Sequence, residues 1–184
     1  MPVSPAKSRR AKLAWNRVRL FAMDVDGVLT DGTVLVSSDG TEAKAFSILD
    51  GHGLRKLAQA GIVTAWISGR ASGATTARAR ELEIPHLSQG PVEKLAVLQN
   101  LARRLGLTAA ACAYMGDDDI DAPALAWAGI AIAPPGAMPA ALAHADYITT
   151  REAGRGAVRE ICELLLAARA NHGSNRSPAR SART

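Results

Sequence analysis

The sequence is poor in cysteine, in aromatic residues and in long apolar runs. Its 184 residues include two cysteines, and only 4% are aromatic. The cysteines, Cys112 and Cys162, are too few for a disulfide framework or a structural zinc site, and their apolar surroundings are typical of a core. No run approaches the ~20 apolar residues that span a bilayer, so we expect no membrane segment. The N-terminus does not resemble a secretory signal, so we expect a cytoplasmic protein.

Acidic residues are missing from both ends of the chain. Residues 1–20 contain six lysines and arginines, and residues 169–184 contain four arginines, without one Asp or Glu. We therefore predict basic, disordered tails at 1–19 and 169–184 around one folded domain at 20–168. The isoelectric point of about 9.7 is typical of nucleic-acid binders. Because the excess charge lies in the tails, we expect no specific nucleic-acid partner.

Short β-prone runs alternate with helix-like segments through the body. Two of the helices are predicted at Leu54–Ala60, ended by Gly61, and after Pro91. This alternation predicts an α/β protein with a Rossmann-like parallel sheet and helices on both faces. A turn at 38–40 between two extended runs predicts a small β-hairpin. The main predicted strands are Arg19–Val25, Ile62–Ile67, Ile84–Leu87, Ala111–Met115 and Ile130–Ala133.

Polar side chains follow three of these strands. Asp24 lies at the end of the first and Asp26 just after it, Ser68 follows the second, and Asp117 begins an acidic run after a later one. In parallel sheets, ligands bind beyond the carboxyl ends of the strands, so we expect these residues to meet there. Lys94 lies in the first turn of a predicted helix, where a cation costs about 0.3–1 kcal/mol unless an anion binds beside it.

These residue types indicate phosphoryl chemistry. Three converging carboxylates repel one another and need a cation when they are ionised. Oxygen ligands without His or Cys select a hard metal, and Mg²⁺ keeps phosphate oxygens in its shell. A metal, a lysine and hydrogen-bond donors around one point describe a phosphoryl-transfer site. Taken singly, Asp24 and Asp26 fit an Asx turn, Ser68 fits a helix cap, and Lys94 fits an exposed helix face.

The polar motifs as a set resemble those of the haloacid dehalogenase-type phosphatases. The matching motifs are the segment 24–32, Ser68-Gly69-Arg70, Lys94 and the segment 116–121. The hairpin, in place of a cap domain, and the segments 50–54 and 154–160 resemble the capless members of that family. The resemblance covers residues 20–166. It implies a Mg²⁺-dependent phosphatase with 3-deoxy-D-manno-octulosonate 8-phosphate as substrate, acting in lipopolysaccharide precursor synthesis.

The resemblance also implies a role for each residue. Asp24 is the expected nucleophile, and Asp26 is the expected general acid and base. Mg²⁺ is expected on the Asp24 carboxylate, the Asp26 carbonyl and Asp117, while Ser68 and Lys94 hold phosphoryl oxygens. The expected supporting residues are Asp118 and Asp121, which orient Lys94 or metal waters, and the substrate-binding set Asp26, Thr30, Arg70, Arg78, Lys94 and Arg155.

Substrate choice and assembly follow from the same resemblance. Arg70 and Arg78 match arginines at the sugar-acid end, where guanidinium binds carboxylate in two-point fashion. Related phosphatases for nine-carbon sialic-type acids tend to carry Glu at the position of Arg70, which favours the eight-carbon acid. The family forms homotetramers, so we expect Arg155 to reach a neighbouring subunit's site. Ala153 departs from the usual Gly-Gly-x-Gly pattern, in which glycines are needed because only they take positive φ freely.

Three other functions stay open. The nearest is a phosphatase for another sugar-acid phosphate, such as a nine-carbon acid 9-phosphate, which a comparison of kcat/KM values distinguishes. The second is a non-catalytic assembly module of the same fold, which would release no phosphate. The third is a tail-dependent nucleic-acid binder, whose binding would fall with salt and disappear with the tails.

Overall fold

In the described part of the chain, six parallel strands form the central sheet, and a separate two-stranded antiparallel hairpin lies beside it. The computed structural model describes residues 13–174. The sheet strands are β1 (Leu20–Met23), β4 (Val63–Ser68), β5 (His86–Gln89), β6 (Cys112–Met115), β7 (Ile130–Ala133) and β8 (Tyr147–Ile148), and the hairpin strands are β2 (Leu35–Val36) and β3 (Glu42–Ala43). The helices are α1 (Ile48–Gln59), α2 (Gly73–Glu81), α3 (Lys94–Arg104), α4 (Ala122–Trp127), α5 (Pro139–His144) and α6 (Ala157–Ser174).

The order of the strands creates a crevice at the centre of the sheet. The order is β5-β4-β1-β6-β7-β8, so β1 pairs with β4 on one side and with β6 on the other. The chain builds outward from β1 through β4 to β5, then returns to β6 and builds the opposite way. Such a reversal is where open α/β sheets bind ligands. The predicted Rossmann-like class and the small hairpin are confirmed.

Helices cover both faces of the sheet. Because successive side chains of a strand point to opposite sides, each strand contributes to two cores. In β1, Phe21 and Met23 belong to the core beneath α1, α2 and α6. Leu20 and Ala22 belong to the second core, beneath α3, α4 and α5. Cys112 and Cys162 are buried and free, as the sequence predicts. No helix among residues 13–174 has the length and apolar character needed to cross a membrane.

Helix α1 begins six residues earlier than the predicted start at Leu54. Its N-cap is Ser47, whose hydroxyl accepts from a backbone N–H in the first turn. Two glycines inside the helix weaken the sequence signal, but Gly53 is needed because a Cβ there would lie 2.9 Å from an α6 side chain. The predicted end is confirmed, since Gly61 adopts φ +70° just after the helix.

The folded domain starts before the predicted boundary at residue 20. Residues 15–17 form a 3₁₀ turn, Val18 is fully buried, and Trp15 meets Tyr147 edge-on at 5.6 Å. The basic residues around these apolar ones obscured them, so the prediction of a disordered tail is wrong for residues 13–19. Helix α6 likewise continues past the predicted end at 168, to Ser174. The remaining predicted tail residues, 1–12 and 175–184, lie outside the described part of the chain.

Candidate active site

The loop after β1 places Asp24 at the central crevice. Its backbone N–H donates to Met115 on β6 at 2.9 Å, and its side chain is nearly buried. The loop then turns back on itself, braced by Thr30. The fully buried Thr30 hydroxyl accepts from the N–H groups of Gly27 (3.3 Å) and Gly32 (3.2 Å). Thr30 therefore supports the loop from inside, and its predicted role as a substrate ligand stays a prediction.

Three carboxylates meet where β1 and β6 end. One oxygen each from Asp24, Asp117 and Asp121 lies within 4.8 Å of the others. Asp121 is fully buried, and both its oxygens are engaged. Its Oδ1 accepts from the Tyr114 hydroxyl at 2.6 Å, and its Oδ2 accepts from the N–H groups of Asp117 and Asp118 at 3.2 Å. Asp121 is thus held by the protein itself, which leaves Asp24 and Asp117 as the candidate ligands for an ion.

Lys94 enters this cluster from α3. The helix begins at Lys94 itself, three residues after the predicted start at Pro91. The ammonium lies 2.8 Å from Asp24 Oδ2 and 2.8 Å from Asp121 Oδ1, and the residue is buried. Burial alone would lower the pKa of Lys94, but Asp24 and Asp121 outweigh it and raise the pKa. Two carboxylates of the chain thus compensate for the cation at this helix end, and the bound anion expected there stays a prediction.

The remaining electrostatics of the cluster favour a divalent cation. Burial, followed by repulsion from Asp121, raises the pKa of Asp24 to about 6. Burial, followed by repulsion from Asp24 and Asp121, raises the pKa of Asp117 to about 7. Asp117 Oδ1 is buried and has no hydrogen-bond partner among the described residues. An orphaned carboxylate oxygen in an all-oxygen cluster fits Mg²⁺, which would be held by Asp24, Asp117 and the Asp26 backbone carbonyl.

Asp26 is held by a residue that the sequence analysis missed. Lys44, just after β3, places its ammonium 2.6 Å from Asp26 Oδ1 and 2.8 Å from Oδ2. The Asp26 side chain is 24% exposed, so it stays open to the crevice. No local pattern marks Lys44, because it looks like an ordinary lysine in a polar hairpin.

The end of β4 and the loop that follows it bring Ser68 and Arg70 to the same edge of the sheet. Ser68 is buried, and its hydroxyl lies 3.0 Å from the carbonyl of Arg70 and 3.2 Å from its N–H. The Arg70 guanidinium pairs with Glu42 of the hairpin at 2.6 Å. Ser72 also donates to Glu42. The hairpin is thereby anchored to this loop, with Arg70 half exposed between them.

Within one chain, Arg78 and Arg155 lie in different places relative to the acidic cluster. Arg78 pairs with Glu81 at 2.7 Å and donates to the Ser47 carbonyl at 3.3 Å, beneath the first turn of α1. Its described contacts do not join it to the acidic cluster. Arg155 lines a cleft of about 550 Å³ together with Asp117 of the same chain. Its expected reach to a neighbouring subunit's site stays a prediction.

Asp118 has a local role in the structure. It is exposed, and its carboxylate accepts from the N–H of Asp119 at 2.7 Å, capping the short turn at 119–121. Asp121, by contrast, contacts Lys94 directly. The predicted supporting position beside Lys94 is therefore occupied by Asp121, with Asp118 outside it.

The segment around Ala153 packs on the loop after β1 without backbone strain at the alanine. Gly154 and Gly156 have φ of +65° and +107°, whereas Ala153 is not among the residues with positive φ. The Gly154 N–H donates to Val28 at 3.1 Å. The departure from the Gly-Gly-x-Gly pattern is thus harmless, because the left-handed conformations fall on the glycines that remain.

Gly27 must stay a glycine because it touches Asp117. Its φ is +85°, and a Cβ there would lie 2.0 Å from Asp117 Oδ2. Gly40, in the hairpin turn, has φ +84°, but a Cβ added there would meet no atom within 4 Å. An alanine at Gly40 would therefore have the same backbone strain as one at Gly27, without the steric clash. We expect Gly40→Ala to lower the free energy of unfolding by about 1 kcal/mol. We expect Gly27→Ala to have the same effect and, in addition, to weaken Mg²⁺ binding at least ~10-fold. Thermal unfolding at several Mg²⁺ concentrations measures both; equal Mg²⁺ dependence of the two variants would contradict the expectation.

Asp117 should destabilise the protein when no metal is bound. Its folded pKa of about 7 lies above the ordinary 3.8, so stability is lost as pH rises from about 4 through 7. We expect Asp117→Asn to raise the metal-free stability at pH 8 by roughly 1–2 kcal/mol, about 3–6 °C in Tm, and by less at pH 5. Saturating Mg²⁺ should then stabilise the wild type and not the variant. Calorimetry checks this; a metal-free variant that melts below the wild type at pH 8 would contradict it.

Fold and site together define a phosphoryl-transfer hydrolase of the Rossmann-like α/β type. The sequence profile of the haloacid dehalogenase-like hydrolases matches residues 82–161. The chain is 41% identical to the 3-deoxy-D-manno-octulosonate 8-phosphate phosphatase of Salmonella typhimurium, over 91% of this chain and 87% of that protein. The chain belongs to the 3-deoxy-D-manno-octulosonate 8-phosphate phosphatase family of the haloacid dehalogenase-like hydrolases.

Solved structures agree with this family. The phosphatase of this name from Moraxella catarrhalis, in complex with magnesium, phosphate and KDO, is 46% identical with a TM-score of 0.83, over 88% of this chain and 93% of that one. The cobalt-bound enzyme of Haemophilus influenzae is 32% identical with a TM-score of 0.82, over 89% of this chain and 96% of that one.

Proposed function

We propose that this protein is a Mg²⁺-dependent phosphatase that hydrolyses 3-deoxy-D-manno-octulosonate 8-phosphate to the free sugar acid and phosphate. The observation that carries the proposal is the meeting of Asp24, Asp117 and Lys94 at the central crevice. The similarity to a phosphatase that holds magnesium, phosphate and KDO supports both the metal and the substrate. The reaction serves lipopolysaccharide precursor synthesis.

In the first half of the reaction, Asp24 is the nucleophile. A carboxylate oxygen of Asp24 forms a bond to phosphorus, and the bond from phosphorus to the sugar oxygen breaks. Asp26 gives its proton to the departing sugar oxygen. Lys94, held 2.8 Å from Asp24, and Ser68 bind the phosphoryl oxygens as charge spreads over them. Mg²⁺, when bound, neutralises the phosphate and the carboxylates that face it.

In the second half, water releases the phosphate from Asp24. Asp26, now ionised, takes a proton from the water as its oxygen bonds to phosphorus. The bond from phosphorus to Asp24 breaks, which returns the nucleophile and yields inorganic phosphate. Asp121 keeps the Lys94 ammonium in place through both steps, because the two are 2.8 Å apart and buried.

Arg70 and Arg155 are the arginines that the structure favours for the substrate carboxylate. Arg70 lies beside the Ser68 loop with its guanidinium half exposed, and Arg155 lines the cleft that contains Asp117. A guanidinium binds a carboxylate through two parallel hydrogen bonds, which suits a sugar acid. Arg78 is not part of this proposal within one subunit.

Assembly and location complete the proposal. We place the protein in the cytoplasm as a homotetramer. The hairpin supports assembly, since Leu35 and Val36 are 69% and 66% exposed, and large apolar side chains left exposed on both sides of a hairpin favour a protein contact. A solution mass of four chains is the expected result, and a stable monomer at micromolar concentration would contradict it.

A substrate panel tests the proposed activity. Phosphate release is measured for the eight-carbon acid 8-phosphate, a nine-carbon sialic-type acid 9-phosphate and a hexose 6-phosphate that lacks a carboxylate. We expect the eight-carbon substrate to give the highest kcat/KM, by at least ~10-fold over the nine-carbon one. A preference for the nine-carbon acid 9-phosphate would identify that compound as the substrate. The absence of Mg²⁺-dependent phosphate release from every compound would favour a non-catalytic assembly module.

A further inference from the structure

The hairpin carries a lysine that reaches into the catalytic loop. The Lys44 side chain is fully enclosed, although its neighbours in the chain are exposed. Its ammonium contacts both carboxylate oxygens of Asp26, at 2.6 and 2.8 Å, and lies 3.4 Å from the hydroxyl of buried Thr75 on α2. Burying a lysine sacrifices both hydration and side-chain freedom, so this placement requires a strong compensating contact. Asp26 supplies that contact.

Asp26 depends on Lys44 for its orientation. Within residues 13–174, no other side chain donates a hydrogen bond to the Asp26 carboxylate. The carboxylate is partly open to the crevice, so without this contact it could rotate among its rotamers. An acid that gives a proton to one oxygen and then takes one from water must stay in place through both steps.

We infer that Lys44 is a positioning residue for Asp26, and that the hairpin therefore takes part in proton transfer as well as in covering the site. The inference rests on the proposed role of Asp26 as general acid and base. It joins three elements at one ammonium: the hairpin, the loop after β1 and helix α2. Lys44 acts through Asp26, so its effect on turnover should vanish when Asp26 can no longer transfer a proton.

Glu42, in β3 of the same hairpin, offers a matched comparison. It lies two residues before Lys44, so it shares the same face of the extended chain. Glu42 anchors the hairpin by pairing with Arg70 and accepting from Ser72, and it makes no described contact with Asp26. A substitution at Glu42 loosens the hairpin without removing the Asp26 contact. The two positions thus separate hairpin anchoring from Asp26 positioning.

The test is a double-mutant cycle in the full-length enzyme with saturating Mg²⁺. Lys44→Met and Lys44→Arg are each made alone and with Asp26→Asn, and kcat and KM are measured on 3-deoxy-D-manno-octulosonate 8-phosphate. We expect Lys44→Met to lower kcat about 30-fold with KM changed less than about threefold. In the Asp26→Asn background the same change should cost less than about threefold. Lys44→Arg, which keeps the cation, should recover part of the loss.

The controls give each outcome one meaning. Glu42→Gln should lower kcat by the same factor with and without Asp26→Asn. Tm values show whether each variant is folded. Lys44→Gln replaces Lys44→Met if the latter does not fold. An equal loss from Lys44→Met in both backgrounds, or a loss confined to KM, would overturn the inference and leave the proposed function standing. Full activity of Asp26→Asn alone would overturn the proposed role of Asp26, and with it the inference.

Discussion

Replacing Asp24 with Asn should lower kcat by about 10⁴-fold or more. Asn has the same shape but cannot form the bond to phosphorus that opens the reaction. The amide oxygen can still accept from the Lys94 ammonium, which lies 2.8 Å from Asp24 Oδ2 in the wild type, so the fold should persist. Phosphate release from the eight-carbon substrate measures the loss, and the Tm confirms folding.

Two controls sharpen this result. Asp39→Asn changes an aspartate in the exposed hairpin turn and should leave kcat within about twofold. Asp24→Ala removes the oxygen altogether and should be as inactive as the amide. Wild-type turnover by a folded Asp24→Asn protein would refute covalent catalysis by this residue.

Replacing Lys94 with Met should damage both activity and stability. The substitution leaves Asp24 and Asp121 buried without their shared cation, which we expect to cost about 3–5 kcal/mol of unfolding free energy. It also removes the charge that faces the phosphoryl group, so kcat/KM should fall about 10³-fold. Denaturant titration and steady-state kinetics measure the two effects separately.

A second substitution separates these two effects. Adding Asp121→Asn to Lys94→Met removes one of the unpaired carboxylates, so stability should partly return. Activity should stay lost, because the phosphoryl ligand is still missing. If the double variant regained most of its activity, Lys94 would be a structural residue and its proposed contact with phosphate would be wrong. Lys56→Met, in an exposed pair with Glu163, should change neither quantity by much.

The central part of the site could be predicted because strand order brings it together. Asp24, Ser68 and Asp117 each lie at or just beyond the carboxyl end of a strand, and the carboxyl ends of parallel strands share one edge. Their convergence thus follows from periodicity and topology alone. Lys94 stood out because a cation in a first helical turn is unfavourable, and the structure shows two carboxylates that compensate for it.

The contacts that sequence reasoning missed come from side chains whose local pattern has a bland explanation. Tyr114 looks like a strand residue of the core, yet its hydroxyl donates to Asp121 at 2.6 Å. Lys44 looks like an exposed hairpin lysine, yet it is enclosed against Asp26. Arg78 has a side chain that suits a substrate carboxylate, yet within this chain it pairs with Glu81. These outcomes depend on how the hairpin and helices pack on the sheet, which spacing along the chain does not encode.

The predicted starts of helix α1 and of the folded domain differ from the structure for a related reason. Helix α1 contains glycines that weaken helical propensity, but close packing against α6 requires one of them at Gly53. The apolar residues near Trp15 are scattered among arginines, so charge counting assigned them to a tail. In both places tertiary packing overrides the local signal.

A crystal structure with Mg²⁺ and beryllium trifluoride, a mimic of a phosphoryl group on a carboxylate, tests the central claim most directly. We predict beryllium attached to the Asp24 carboxylate, Mg²⁺ contacting Asp24 and Asp117, and the Lys94 ammonium and Ser68 hydroxyl on the fluorines. A well-ordered complex in which beryllium trifluoride is bound away from Asp24, or in which Asp117 is turned away from the metal, would contradict the account.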